Sequence, residues 1–224
     1  MKAISALFAA ALIASSASAS ANTISLVNDT RGHVVSTAFD TVETYKMPTV
    51  SEANGVYINF GFTYSGTLEN NDFFGAFFGS STGPSFGLKA NGGNGSTTND
   101  LFVRMGGTDG TFLKNSDLVA GAYYELVGYL SKSGNSSGNY NTLSLWVNPS
   151  ANEIASLSGA DLTITGNSGL ASITSVGYRT INIDKGVTLN VGDINVNAVP
   201  EPGTLALMGL AAAGLGFMRR RKQA

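Results

Sequence analysis

Residues 56–64 read Val56-Tyr-Ile-Asn-Phe-Gly-Phe-Thr-Tyr64, with Val56, Ile58, Phe60, Phe62 and Tyr64 apolar or aromatic and Asn59, Gly61 and Thr63 falling between them. Successive side chains of a β-strand point to opposite faces, so this alternation predicts a strand with one face buried. Thr142-Leu-Ser-Leu-Trp-Val-Asn148 repeats the pattern, with Leu143, Leu145 and Val147 on one face and Thr142, Ser144, Trp146 and Asn148 on the other. Further strands are predicted over 72–79, 85–90, 101–105, 122–131, 161–165, 172–178 and 187–197. Gly- and Asn-rich turns such as Asn91-Gly-Gly-Asn-Gly95 and Ser133-Gly-Asn-Ser-Ser-Gly138 separate them. The run Phe73-Phe-Gly-Ala-Phe-Phe78 is apolar on both faces, which places it centrally in a sheet. One short helical turn is expected at 151–157, after Pro149. Strands of this length and spacing predict an all-β fold, a two-sheet antiparallel β-sandwich.

Composition narrows the function classes. The chain has 224 residues, no Cys and a single His, His33, which excludes disulfide scaffolds, thiol catalysis, Cys-ligated zinc and a multi-histidine metal site. Residues 22–199 carry 8 Lys/Arg against 14 Asp/Glu, so this stretch is acidic and has no basic footprint of a nucleic-acid binder. That stretch reads as one domain, taken as 22–197.

The two ends read as addresses. Residues 1–21 have a basic Lys2, an apolar stretch from Ala3 to Ala14 and then Ala-Ser-Ala at 17–19 and 19–21, the pattern of a secretory signal peptide cleaved after Ala19 or Ala21. At the other end stand Pro200-Glu201-Pro202, an uncharged segment 203–218 and the basic cluster Arg219, Arg220, Arg221 and Lys222. At about 1.5 Å per residue a helix over 203–218 spans about 24 Å, a marginal single transmembrane helix. The basic cluster keeps the tail cytoplasmic, and the N-terminal signal puts the middle of the chain on the other side.

This tail, residues 198–222, resembles the PEP-CTERM sorting signal of Gram-negative, exopolysaccharide-producing bacteria. The resemblance implies that an exosortase recognises Pro200, Glu201 and Pro202, removes the helix, and attaches the protein at the cell surface or releases it. Signal peptidase would act at the other end, and the inner membrane would hold the C-terminal helix only transiently. The segments Asn71-Asp-Phe-Phe-Gly-Ala-Phe-Phe78, Phe86-Gly-Leu-Lys89, Tyr124-Glu-Leu-Val-Gly-Tyr-Leu130, Leu143-Ser-Leu-Trp-Val-Asn-Pro149 and Val176-Gly-Tyr-Arg179 look like laminin-G-like members of the concanavalin-A-like lectin and glucanase fold. That resemblance implies a jelly roll, in a family of glycan-binding lectins, calcium-binding adhesion modules and some glycosidases.

Candidate chemistry follows from both readings. Glucanases of the resembled fold carry Glu-x-Asp-x-x-Glu on one strand. No such pattern exists here, and Glu43, Glu52, Glu69, Glu125 and Glu153 each lack a carboxylate two residues away, so no enzyme activity is expected. His33 lies in the polar stretch Asn28-Asp-Thr-Arg-Gly-His33 and reads as an exposed edge or loop residue. Calcium takes carboxylate and amide oxygens at loop positions, leaving Asp72, Asp100 and Asp109 as candidate ligands with Asn70, Asn71, Asn99 and Gly110 nearby; turn formation by the same residues is the alternative. No other cofactor is implied. For glycan, Trp146 faces away from the predicted core and is the candidate platform, with Tyr123, Glu125 and Tyr129 sharing one face. The expected function is a non-enzymatic surface protein that binds glycan in the extracellular polysaccharide matrix or biofilm, or aids adhesion. A self-associating structural matrix protein is the alternative, and a polysaccharide-processing enzyme the third.

Overall fold

The computed structural model describes residues 24–199 apart from 31, 37–39, 52–54, 96, 108, 134–137 and 184–185. The signal peptide expected at 1–21, and the motif, helix and basic tail expected at 200–222, lie outside the described residues, as does Glu52. Among the described residues no helix is long and apolar enough to cross a membrane.

The described chain is all-β, a jelly-roll-like sandwich of two antiparallel sheets. The first sheet runs β1 (Ile24–Asp29), β13 (Thr188–Val199), β4 (Gly55–Ser65), β9 (Tyr124–Ser131), β10 (Thr142–Val147) and β11 (Leu162–Thr165), with β2 (His33–Ser36) also on β13. The second runs β3 (Val42–Val50), β12 (Ile173–Ile181), β5 (Phe73–Phe78), β6 (Ser85–Ala90), β7 (Asn99–Arg104) and β8 (Thr111–Phe112).

The alternation that predicts β4 is the one that builds the core. Val56, Ile58, Phe60, Phe62 and Tyr64 are all buried on its inner face, against Phe74, Ala76 and Phe78 of β5 and Phe86 and Leu88 of β6. The Phe74 ring meets Phe62 at 5.2 Å, Phe60 at 5.6 Å and Tyr178 at 6.1 Å between centroids, each edge-on. Edge-to-face geometry puts the positive edge of one ring on the negative face of another. As its two-sided apolarity requires, β5 lies inside its sheet, between β12 and β6.

Four strands go beyond the sequence reading. β1, β2 and β3 lie at the sides of their sheets, and β8 is only two residues long. β13 runs to Val199, past the expected 187–197, because Ala198 and Val199 still pair with Val56 and Gly55 of β4. The helical turn is α1 (Ala151–Ser156). It is closed by a capping box in which Ser150 Oγ accepts from Glu153 N at 3.3 Å and Glu153 Oε2 accepts from Ser150 N at 2.8 Å.

Candidate functional site

The even-numbered side chains of β5 go to the core, so the odd ones, Phe73 and Phe77, face outward. Register carries that face across the sheet: Phe73 opposes Lys89, Phe77 opposes Ser85, Ser85 opposes Arg104, Gly87 opposes Phe102, and Arg179 opposes Gly75. Phe73, Phe77 and Phe102 belong to neither apolar core cluster, yet they are 3 %, 1 % and 0 % exposed. Neighbouring side chains cover them: the Phe102 ring lies 4.9 Å from Phe73 and 6.5 Å from Phe112 between centroids. A Cβ at Gly75 would stand 3.1 Å from Phe73 Cζ and 3.2 Å from Phe102 Cζ, and a Cβ at Gly177 would meet Phe77 Cζ. Glycine at these two places is the space the rings occupy.

Two arginines sit on this aromatic floor. The Arg104 guanidinium lies 4.6 Å from the Phe102 centroid and 5.1 Å from that of Phe73, while Arg179 lies 5.0 Å from Phe73. Loss of hydration pulls the Arg104 pKa down, the charge of Arg179 pulls it further, and Asp109 pushes back. Arg179 is likewise lowered by desolvation, with Asp40 opposing. The arrangement offers cationic forks held in one orientation over an apolar surface.

The residues singled out in sequence fall elsewhere. Trp146 does face away from Leu143 and Leu145, as expected, but it is only 3 % exposed and so offers no platform. Its ring joins Tyr57, Val127 and Val199 in a small second cluster beneath Ile154, Leu157 and Ala160, and Nε1 donates to Ser158 O at 2.8 Å. The segment carrying α1 covers the face that alternation leaves open. Tyr129 is drawn into the same cluster, and its burial pushes the phenol up to about 12. Glu125 Oε1 accepts from Asn59 Nδ2 at 3.0 Å, and Tyr123, 62 % exposed, crosses Gly61. His33 is the first residue of β2, paired with Val191 at the edge of the first sheet.

The three aspartates do not converge. Among the described residues no three His, Asp or Glu side chains cluster as metal ligands would. Asp72 Oδ2 accepts from Glu69 N at 2.8 Å and closes the turn before β5, whereas Asp109 is exposed in the connection between β7 and β8. Asp100, fully buried, accepts from Gly93 N at 2.8 Å, Asn94 N at 2.9 Å, Asn94 Nδ2 at 2.7 Å and Thr98 Oγ1 at 2.9 Å. Its oxygens accept from the protein's own donors.

Burial would raise the Asp100 pKa, but the bonds from Asn94, Thr98 and Gly93 outweigh it and hold the carboxyl below its usual range. The stability from these bonds is therefore complete above the unfolded value of about 3.9 and lost as pH falls through the lower folded value. Asp100→Asn turns an amide toward these donors and should cost about 2 kcal/mol at pH 7. In urea titrations the deficit against wild type should shrink below pH 4, and a constant deficit would refute the charge-assisted role.

A recess of about 500 Å³ at one end of the sandwich is lined by Tyr64, Leu68, Asn91, Asn99, Asp117 and Val119. Much of its polar lining is already engaged. Asn99 Nδ2 donates to Tyr64 OH at 3.1 Å, and Asp117 Oδ1 accepts from Asn99 N at 3.0 Å.

Residues 198–222 match the PEP-CTERM protein-sorting motif. No curated protein matches the chain. Among solved structures, the carbohydrate recognition domain of Emp46p in its metal-free form is similar at 13 % identity and a TM-score of 0.45, over 76 % of this chain and 86 % of that one. A glycosyl hydrolase family 16 protein from Mycobacterium smegmatis is similar at 10 % identity and a TM-score of 0.44, over 74 % of each chain. A β-1,3-glucanase from Mycobacterium marinum is similar at 10 % and 0.42, over 68 % of this chain and 66 % of its own. At these scores the likeness adds nothing to the architecture read from the strands themselves.

Proposed function

We propose that this is an exported surface protein, delivered by exosortase processing at Pro200, Glu201 and Pro202, that binds extracellular glycan without chemically altering it. The match of residues 198–222 to a protein-sorting motif carries the delivery half. Support for glycan binding comes from the outer face of the second sheet, where the Arg104 and Arg179 guanidinium groups are held in place by the buried aromatic rings beneath them. Oriented hydrogen-bond donors of this kind fix the polar groups of a sugar. The non-enzymatic reading is supported by the carboxylates. Each described strand carries at most one, Asp29, Glu43, Asp100, Glu125 and Asp193 on β1, β3, β7, β9 and β13, so none presents the pair on alternate residues that glycoside cleavage in this type of sandwich would use.

Protein recovered from the medium and envelope of the native host should begin near Asn22, end near 200–202, and be retarded in gels cast with the host's exopolysaccharide. Replacing Pro200 and Pro202 by Ala should leave a longer, membrane-retained species. Normal release of that variant refutes exosortase delivery. Unretarded migration of the processed protein refutes glycan binding, and reducing ends or unsaturated products released from the polysaccharide would make it an enzyme.

A further inference from the structure

We infer that the outer face of the second sheet takes an acidic polysaccharide, whose carboxylate or sulfate groups are held between Arg104 and Arg179. This rests on the glycan-binding reading above and names the charge class of the ligand.

The argument begins with unmet hydrogen bonds. Arg104 is only 6 % exposed and the Nε atoms of both arginines are buried without an acceptor. Among the described residues the Arg104 side chain makes one hydrogen bond, a long one of 3.4 Å from Nη1 to Gly107 O. Desolvated guanidinium groups normally lie against a carboxylate, because an unpaired buried charge is strongly destabilising. Among the described residues neither is in an ion pair, and Asp40 and Asp109 act on them through longer-range attraction. Both guanidinium carbons stand about 5 Å from the one Phe73 ring, hence no more than about 10 Å apart. An anion lodged there can accept from both forks, in the bidentate geometry that arginine favours.

Charge placement points the same way. Of the six Lys and Arg residues among the described ones, four, Lys46, Lys89, Arg104 and Arg179, lie on this face. The face's own carboxylate, Asp100, is caged by its loop. Because the protein as a whole is acidic, general attraction to polyanions does not account for such a concentration.

The test is affinity electrophoresis of the purified protein in gels containing polygalacturonate, dextran sulfate or neutral dextran, at low ionic strength, beside thermal unfolding. Polygalacturonate should retard the wild type while dextran does not; dextran sulfate tells whether sulfate substitutes for carboxylate. Arg104→Gln and Arg179→Gln should each weaken retardation about tenfold or more, and together abolish it. Removing a desolvated, unpaired cation should leave Tm unchanged or raised, which an arginine kept for structure would not allow. If Arg104→Gln fails to fold, the more exposed Arg179→Gln carries the test. Retardation of the double variant equal to wild type, or of the wild type by neither polyanion, overturns the inference. Retardation by dextran or host polysaccharide alone would overturn the charge class and leave the glycan reading standing, whereas no retardation by any polymer would overturn both.

Discussion

Phe74→Ala is expected to cost about 4 kcal/mol, a large share of the 5–15 kcal/mol that holds a typical domain together. Phe74 is fully buried and sits where the two sheets meet, with Phe62 and Phe60 from the first sheet and Tyr178 from its own packed around it. Truncation removes the transfer energy of the ring, leaves a cavity that three stiff aromatic neighbours fill poorly, and forfeits the edge-to-face contacts. Urea unfolding should show the midpoint falling with the slope unchanged, since the surface exposed on unfolding is the same. A loss under about 2 kcal/mol would mean that the site collapses around the gap, and that this cluster is not the rigid centre of the sandwich.

Trp146→Ala should cost about 3 kcal/mol and leave glycan retardation untouched. The indole fills the space between the first sheet and the segment carrying α1, and its one polar atom is used within the protein by Ser158 O. None of the residues of α1 is itself buried, so little else holds that segment down. Its amides from 151 to 160 should accordingly exchange far faster in the variant than those of β5 or β6. If retardation were lost while stability and exchange stayed at wild-type levels, Trp146 would have to be returned to the ligand surface.

Trp146 also marks how far sequence reasoning reaches here. Alternation in β10 assigns its side of the sheet correctly, because the period of a strand is a local property. What lies over that side is decided by a segment ten residues further on, and no periodicity encodes it. The central strands were legible for the same local reason: β4 alternates cleanly and β5 is apolar on both faces. β1, β2 and β3 were not, since a strand at or near a sheet edge can leave Ser25, Val42, Thr44 and Lys46 exposed and so lose the hydrophobic signature. The arginine pair was hidden more deeply. Arg104 and Arg179 are far apart in sequence and meet only through the registers linking β7, β6, β5 and β12. The available signal was the outward parity of Phe73 and Phe77, two large apolar residues on the side of a strand where a surface would carry polar ones.

The final strand carries a consequence for how the molecule is made. β13 is the last described segment to leave the ribosome, yet β1, β2 and β4, all complete by residue 65, hydrogen-bond to it. Until its 12 residues arrive, β1 and β2 lack the strand they pair with, and the edge of β4 away from β9 stays open to wrong pairing. Closure is thus postponed to the end of synthesis, a long-range and therefore slow step. Val199 ends that strand and Pro200 follows at once. A nascent chain halted before residue 188 lacks the strand that joins β1 and β2 to β4, so the sandwich is completed only as the sorting tail itself emerges.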